Sequence, residues 1–338
     1  MTGNDGFLLT DQDAYTHPIG SASNWNESRY VDFWDAQNRV GGWFRIGNRP
    51  NEGHAEMSAC INLPDGRTGF MFARHQISRN ELHAAGQHWQ IEDPWRRTRV
   101  TYHGEMFLLD DPWALVDPKT AFQISPRVTA AVELDCRSEG LGAVMGFDQG
   151  HIDRIFLPGQ ADFHYQHLIH SSGRVTVGAQ SWTVDGRGAK DHSWGPRNWH
   201  AKIYLRWLIA SFDDDYGFML VRAVGPTKQT RSGFVWNAGE FHLVDDFEMH
   251  NHYAGAPHYE LKRTALKIRS GSHVWCAEGL PQAWLPLRHR QNDSQGKPAL
   301  LRIVKSPTQW VTPDGRDGLG MCEYHDLMIE GRPVGLDD

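Results

Sequence analysis

The chain has 338 residues, 40% of them hydrophobic, and a formal net charge of −7. That composition excludes a disordered chain and leaves room for two domains or one large β domain with an ample core. The acidic balance argues against a nucleic-acid partner, since Arg288-His289-Arg290 is the densest basic spot, and no apolar run reaches the ~18 residues that a membrane span needs.

Fourteen Trp and nineteen His residues fit a strand-rich chain and an apolar ligand cavity. The four cysteines, Cys60, Cys136, Cys276 and Cys322, show no zinc-site or CxxC spacing. The first twenty residues carry no basic and then apolar leader pattern. Together these features predict a cytoplasmic protein with free thiols.

In chain order, residues 1–40 read as an arm packed on the body, with one short helix over 28–38. From Gly41 the rhythm is that of strands: 43–46, 56–63, 68–75, 87–92 and 98–109. Pro64-Asp65-Gly66-Arg67 is a turn between two of them. Val128, Ala130, Val132, Leu134 and Cys136 recur at period two, the mark of a half-buried strand. Strands over 163–170 and 175–184 flank a second turn at Ser171–Arg174. Gly186 to Trp199 reads as a loop, because its glycines and Pro196 break regular structure. Strands follow at 199–212, 218–224, 233–236, 240–249, 259–268, 274–277, 300–305 and 320–329, with 281–298 as a surface loop. Short turns and almost no helical periodicity predict an all-β fold of two closed or nearly closed antiparallel barrels with few short helices. The predicted division is 1–40, 41–197 and 198–338.

Function is most concentrated in Gly186–Trp199. There Asp191 and His192 sit among Arg187, Arg197, Trp194 and Trp199. An Asp in an apolar cavity has its pKa raised by desolvation and becomes a usable acid. Indole faces stabilise a nearby cation. The plainer alternative is an ion pair to Arg187 or Arg197 with tryptophans packing a seam. On a strand Asp191 and His192 point to opposite faces, so their cooperation requires an irregular loop. His164, His167 and His170 cannot converge on an ion from one strand, so no metal is expected. Tyr165, Gln166 and His167 are candidate cavity groups. His75, on the first hairpin, and Glu323, on the last strand, are further polar candidates. A buried Glu323 near Asp191 would form a carboxylate pair. There is no GxSxG, HExxH or P-loop, and Gly140-Leu141-Gly142 lacks a βαβ setting.

The run Val184-Asp185-Gly186-Arg187-Gly188-Ala189-Lys190-Asp191-His192-Ser193-Trp194-Gly195, followed by a strand, the acidic turn Asp213-Asp214-Asp215 and another strand, resembles the carotenoid 1,2-hydratase and AttH-like family. Phe163-His164-Tyr165-Gln166 is also similar to it. The resemblance implies two tandem lipocalin-like barrels and hydration of an isolated C=C bond by protonation and water capture, without a cofactor. The resulting expectation is a hydratase, dehydratase or isomerase acting on a hydrophobic terpenoid-, steroid- or aromatic-like small molecule. Asp191 would be the acid, His192 its partner or base, and Tyr165 and Glu323 supporting polar groups. Trp194, Trp199, Arg197, Gln166, His167 and His75 would contact substrate. A non-catalytic carrier of the same ligands and a cyclase or pericyclic catalyst are the alternatives. The oligomeric state is left open.

Overall fold

The computed structural model describes residues 9–138, 144–145, 153–159, 161–198, 202–292 and 297–338. Two large antiparallel sheets make up nearly all of it. The first contains β1 (Trp25–Asp35), β2 (Val40–Arg49), β3 (His54–Asn62), β4 (Thr68–Gln76), β5 (His83–Ala84), β6 (Gln87–Asp93), β7 (Arg97–Leu109), β8 (Arg127–Arg137), β9 (Val144–Met145), β10 (Phe163–Val177) and β11 (Gln180–Pro196). Eight of these, in the order β4-β3-β2-β1-β11-β10-β8-β7, form a ring that closes where Thr68 of β4 pairs with Leu109 of β7. Closure leaves this group without a free edge.

The second sheet contains β12 (Tyr204–Ser211), β13 (Tyr216–Val224), β14 (Gln229–Asn237), β15 (Glu240–Leu243), β16 (Asp246–Tyr253), β17 (Leu261–Ser270), β18 (His273–Pro281), β19 (Leu285–Asn292), β20 (Pro298–Val311), β21 (Asp317–Ile329) and β22 (Arg332–Pro333). Its main path runs β15-β14-β13-β12-β21-β20-β18-β17-β16. Among the described residues no ladder joins β15 to β16, so this second barrel stays open there. Arg231 on β14 spans part of the gap, donating to the Phe247 carbonyl at 3.1 Å. A helix, α1 (Pro118–Ile124), lies between β7 and β8.

Alternation along each strand sorts side chains into three apolar layers. Val31, Phe44, Met57, Val100 and Val132 fill the first barrel. Phe218, Phe247, Ile268 and Trp310 fill the second. A third layer, with Tyr30, Trp43, Ala189, Trp207 and Met219, packs the outer face of one sheet against the other. The site is built in this third layer.

Several local expectations are corrected. Residues 28–35 lie in β1, not in a helix, because alternate side chains face the barrel core and the inter-sheet layer, and both are buried. Residues 186–196 are the end of a 17-residue strand rather than a loop. Their glycines serve close strand approach: a Cβ on Gly188 would lie 2.3 Å from the Asp32 carbonyl oxygen. Ser171–Arg174 is not a turn but part of β10, and the hairpin instead turns after Val177, before Gln180. Gly173 is there because a Cβ would meet the Glu133 carbonyl oxygen on β8 at 1.9 Å. Part of the expected 281–298 loop is β19, which pairs with β20. Gly140-Leu141-Gly142 lies outside the described residues. The four cysteines are free. No helix among the described residues is long and apolar enough to cross a membrane.

Candidate active site

The first barrel is filled by its own side chains, and the pocket inside it measures only about 10 Å³. A cavity of about 430 Å³ lies instead between the two sheets. One wall comes from β1, β2, β3, β4, β10 and β11, and the other from β12, β13, β19, β20 and β21. Phe122 of α1 also lines it, stacked on Phe70 with ring centroids 6.2 Å apart. Tyr30, Trp43, Phe70, Phe156 and Trp207 supply aromatic surface.

Polar groups enter this apolar space at two places. On the first sheet Asp191 of β11 faces His164 of β10, with Oδ2 and Nε2 3.5 Å apart. Gln166 stands beside them and is paired in register with Asp191. On the second sheet Glu323 and His325, two residues apart on β21, share a face. The imidazole Nε2 lies 2.5 Å from Glu323 Oε1. Lys305 on β20 bonds the other carboxylate oxygen. Its ammonium also lies 4.2 Å from the Tyr30 ring centroid and 5.1 Å from that of Trp43.

The electrostatics differ between these groups. Burial alone would raise Glu323, but the Lys305 charge and the His325 hydrogen bond outweigh it and hold the carboxyl ionised. Burial, with the charge of Lys202 behind it, lowers His325 to about 3 and keeps it neutral. Glu323 accepts from Nε2–H, so the lone pair of His325 is on Nδ1. That atom is buried and has no hydrogen-bond partner among the described residues. His164 Nδ1 and Gln166 Oε1 are in the same position. Burial, then Arg197, lowers Lys202 to about 7.

The predicted site residues divide between two places. Asp191, Glu323, Gln166 and Arg197 all line the inter-sheet cavity. His192 does not. It follows Asp191 on a regular strand and therefore points the other way, into the end of the first barrel. There its Nε2 donates to Glu27 Oε1 at 2.7 Å, and Tyr165 OH lies 3.2 Å from Nδ1. The expected Asp191–His192 partnership is thus replaced by Asp191–His164. Trp194 and His167 share the barrel end with Tyr165: Trp194 stacks on His17 at 3.7 Å, and His167 on Trp95 at 5.7 Å. His75 is exposed on β4 and lies off the cavity wall, although its neighbour Arg74 reaches it. Trp199 lies outside the described residues.

Residues 9–24 explain the barrel-end cluster. This segment crosses the opening, and Arg29 donates to the Ala14 carbonyl at 2.9 Å. His17 places its ring nitrogens 3.2 Å from Glu27 and 3.1 Å from Asp13. Among the described residues, His17, Glu27 and His192 are the one grouping with metal-ligand geometry. Glu27 already accepts from both imidazoles and approaches Arg29 at 3.5 Å. The network reads as a tie holding the arm in place.

Sequence reasoning did not single out His325, Lys202 and Lys305, and weighed His164 as a metal ligand and as part of the resemblance rather than as the partner of Asp191. The signal for His325 was present in Glu323-Tyr324-His325, a carboxylate and an imidazole at strand spacing on one face.

The chain belongs to the family described as Domain of unknown function (DUF7064), which matches residues 10–328. No curated protein matches its sequence. Among solved structures it is similar to CghA (10% identity, 97% of this chain and 98% of that chain, TM-score 0.59). It is also similar to a provisionally assigned AttH from Nitrosomonas europaea (13% identity, 90% and 93%, TM-score 0.58). Kievitone hydratase from Nectria haematococca aligns over 93% and 94% at 10% identity with a TM-score of 0.47. At these identities the first two likenesses establish the fold, which is AttH-like.

Proposed function

We propose that this member of the DUF7064 family is a cofactor-free acid–base enzyme that adds water to, removes water from, or shifts a C=C bond in an apolar small molecule held between the two sheets. One observation carries this reading: two carboxylate–imidazole pairs, one from each sheet, face a single aromatic-walled cavity, and each imidazole keeps a nitrogen without a hydrogen-bond partner among the described residues. A carrier needs the apolar walls but not oriented proton-transfer groups.

The roles follow from the geometry. Glu323 fixes the tautomer of His325, so Nδ1 can take a proton from water or from carbon. Asp191 gives a proton to the other end of the double bond, and His164 and Gln166 position it. In hydration the water oxygen forms the new C–O bond, its proton goes to His325, and the π pair takes the proton of Asp191. Dehydration is the same path reversed. Positioned proton transfer contributes about 10²–10⁴ in rate for each such group.

The test is a screen of apolar alkenes and alcohols by mass spectrometry for gain or loss of water, or for isomerisation. Turnover lost in both Asp191→Asn and His325→Gln, with ligand binding kept, supports the reading. Full turnover in either variant removes that residue from the chemistry.

A further inference from the structure

The tie at the barrel end has the ligand set of a metal site. His17, Glu27 and His192 come from three separate parts of the fold, the arm, β1 and β11, and each brings one ligand atom to a common point within 4.8 Å of the others. Glu27 Oε1 lies 2.7 Å from His192 Nε2 and 3.2 Å from His17 Nδ1. Two ligands of one tetrahedral ion, each about 2.0–2.1 Å from it, stand roughly 3.3 Å apart. Both spacings are therefore near those of a loaded site. His164, His167 and His170, which cannot converge from one strand, take no part in it.

Each ligand is also held from behind. The far nitrogen of His17, Nε2, lies 3.1 Å from Asp13 Oδ1, and the far nitrogen of His192, Nδ1, lies 3.2 Å from Tyr165 OH. Glu27 Oε2 accepts from the His17 backbone N–H at 3.0 Å and from Asn80 Nδ2. Oxygen partners on the outer nitrogens suit the tautomer that turns both lone pairs inward, the arrangement metal-binding histidines use. An ion also resolves a conflict. A neutral His17 has one ring N–H but touches two carboxylates. With an ion at Nδ1, that N–H belongs to Asp13, and Glu27 becomes a ligand instead of an acceptor.

Arg29 Nη2, 3.5 Å from Glu27 Oε1, opposes a cation here, although Nη1 of the same side chain is engaged by the Ala14 carbonyl. A set of two imidazoles and one carboxylate suits zinc, whereas calcium and magnesium depend on more oxygen ligands. The side chains of Glu27 and His192 are 1% exposed and that of His17 is 14% exposed, so an ion enters past His17.

We propose that His17, Glu27 and His192 bind a divalent ion of the zinc type, and that this ion latches residues 9–24 over the end of the first barrel. The site lies on the opposite face of β11 from Asp191, so the ion takes no part in the proton transfer proposed for the cavity.

The test strips the protein with a chelator, titrates it with zinc chloride, and reads retained zinc after gel filtration and melting temperature on the same samples. Wild type should retain about one zinc per chain and melt several degrees higher when loaded. His17→Gln alters a partly exposed residue of the arm, so it should fold, retain no zinc, and melt at the same temperature with and without the metal. Asp13→Asn should bind zinc about 10–100-fold more weakly. Absence of stoichiometric zinc in wild type, or equal retention in His17→Gln, would overturn the site. Zinc retained in wild type with no rise in melting temperature would overturn the latch.

Discussion

Asp191 and His192 are consecutive residues that face opposite sides of β11. Asp191 lines the cavity between the sheets, while His192 is buried at the end of the first barrel, bonded to Glu27. One strand thus serves two functions, a candidate reaction centre on one face and a structural tie on the other. The predictions separate them.

The barrel-end tie predicts acid sensitivity. Burial first, and the Arg29 charge next, lower His192 to about 4, against about 6.5 when unfolded. Between those values the unfolded state binds more protons, so the contribution is complete above pH ~6.5 and is lost as pH falls toward 4. At 1.36 kcal/mol per unit, one such imidazole accounts for at most about 3 kcal/mol. His325 and His289 are lowered in the same direction. The melting temperature should therefore fall from pH 6.5 downward, and His192→Gln should flatten that fall. An unchanged pH slope in the variant would contradict the assignment.

Trp194 should matter for folding rather than turnover. It stacks on His17 of the arm, away from the cavity. Trp194→Ala should cost about 3–5 kcal/mol, as for other large buried side chains, while activity per folded molecule stays near wild type. Trp207→Leu, on the cavity wall, should do the opposite and weaken binding of an apolar probe. Denaturant midpoints and probe titration on both variants check the contrast.

Gly188→Ala should destabilise strongly. Its Cβ would meet the carbonyl oxygen of Asp32 at 2.3 Å and its carboxylate at 2.4 Å. Backbone cannot yield there without parting β1 from β11, and overpacking of this kind costs about 1–3 kcal/mol or more. Gly178→Ala has no such neighbour but adopts φ +58°, so its penalty is conformational and near 1 kcal/mol. Paired thermal melts should rank Gly188→Ala as the worse by several degrees.

Much of the fold was legible in the sequence, and the reasons are local. Period-two runs such as Val128–Cys136 fix a strand and its inner face without any knowledge of partners. Gly186–Gly195 misled because glycine signals both loops and close strand approach, and only the neighbouring strand distinguishes them. The site was legible in part. Asp191 and Glu323, 132 positions apart, do reach one cavity, both close enough to raise Tyr30 after burial and Asp32. Lys202 was hidden because its importance arises only when the second sheet packs on the first, a long-range event that no local pattern records.

The proposed proton transfer runs through Asp191 in the inter-sheet cavity and not through the barrel end. The most direct test is kcat and melting temperature measured on the same samples of Asp191→Asn and His192→Gln, with a substrate from the screen. Asp191→Asn should melt within about 2 °C of wild type, a change worth less than ~1 kcal/mol, and lose about 10²–10⁴ in kcat. His192→Gln should melt lower by several degrees, since breaking a buried hydrogen bond costs about 1–3 kcal/mol, and should keep its kcat. A fully active Asp191→Asn, or a stable but inactive His192→Gln, would contradict it.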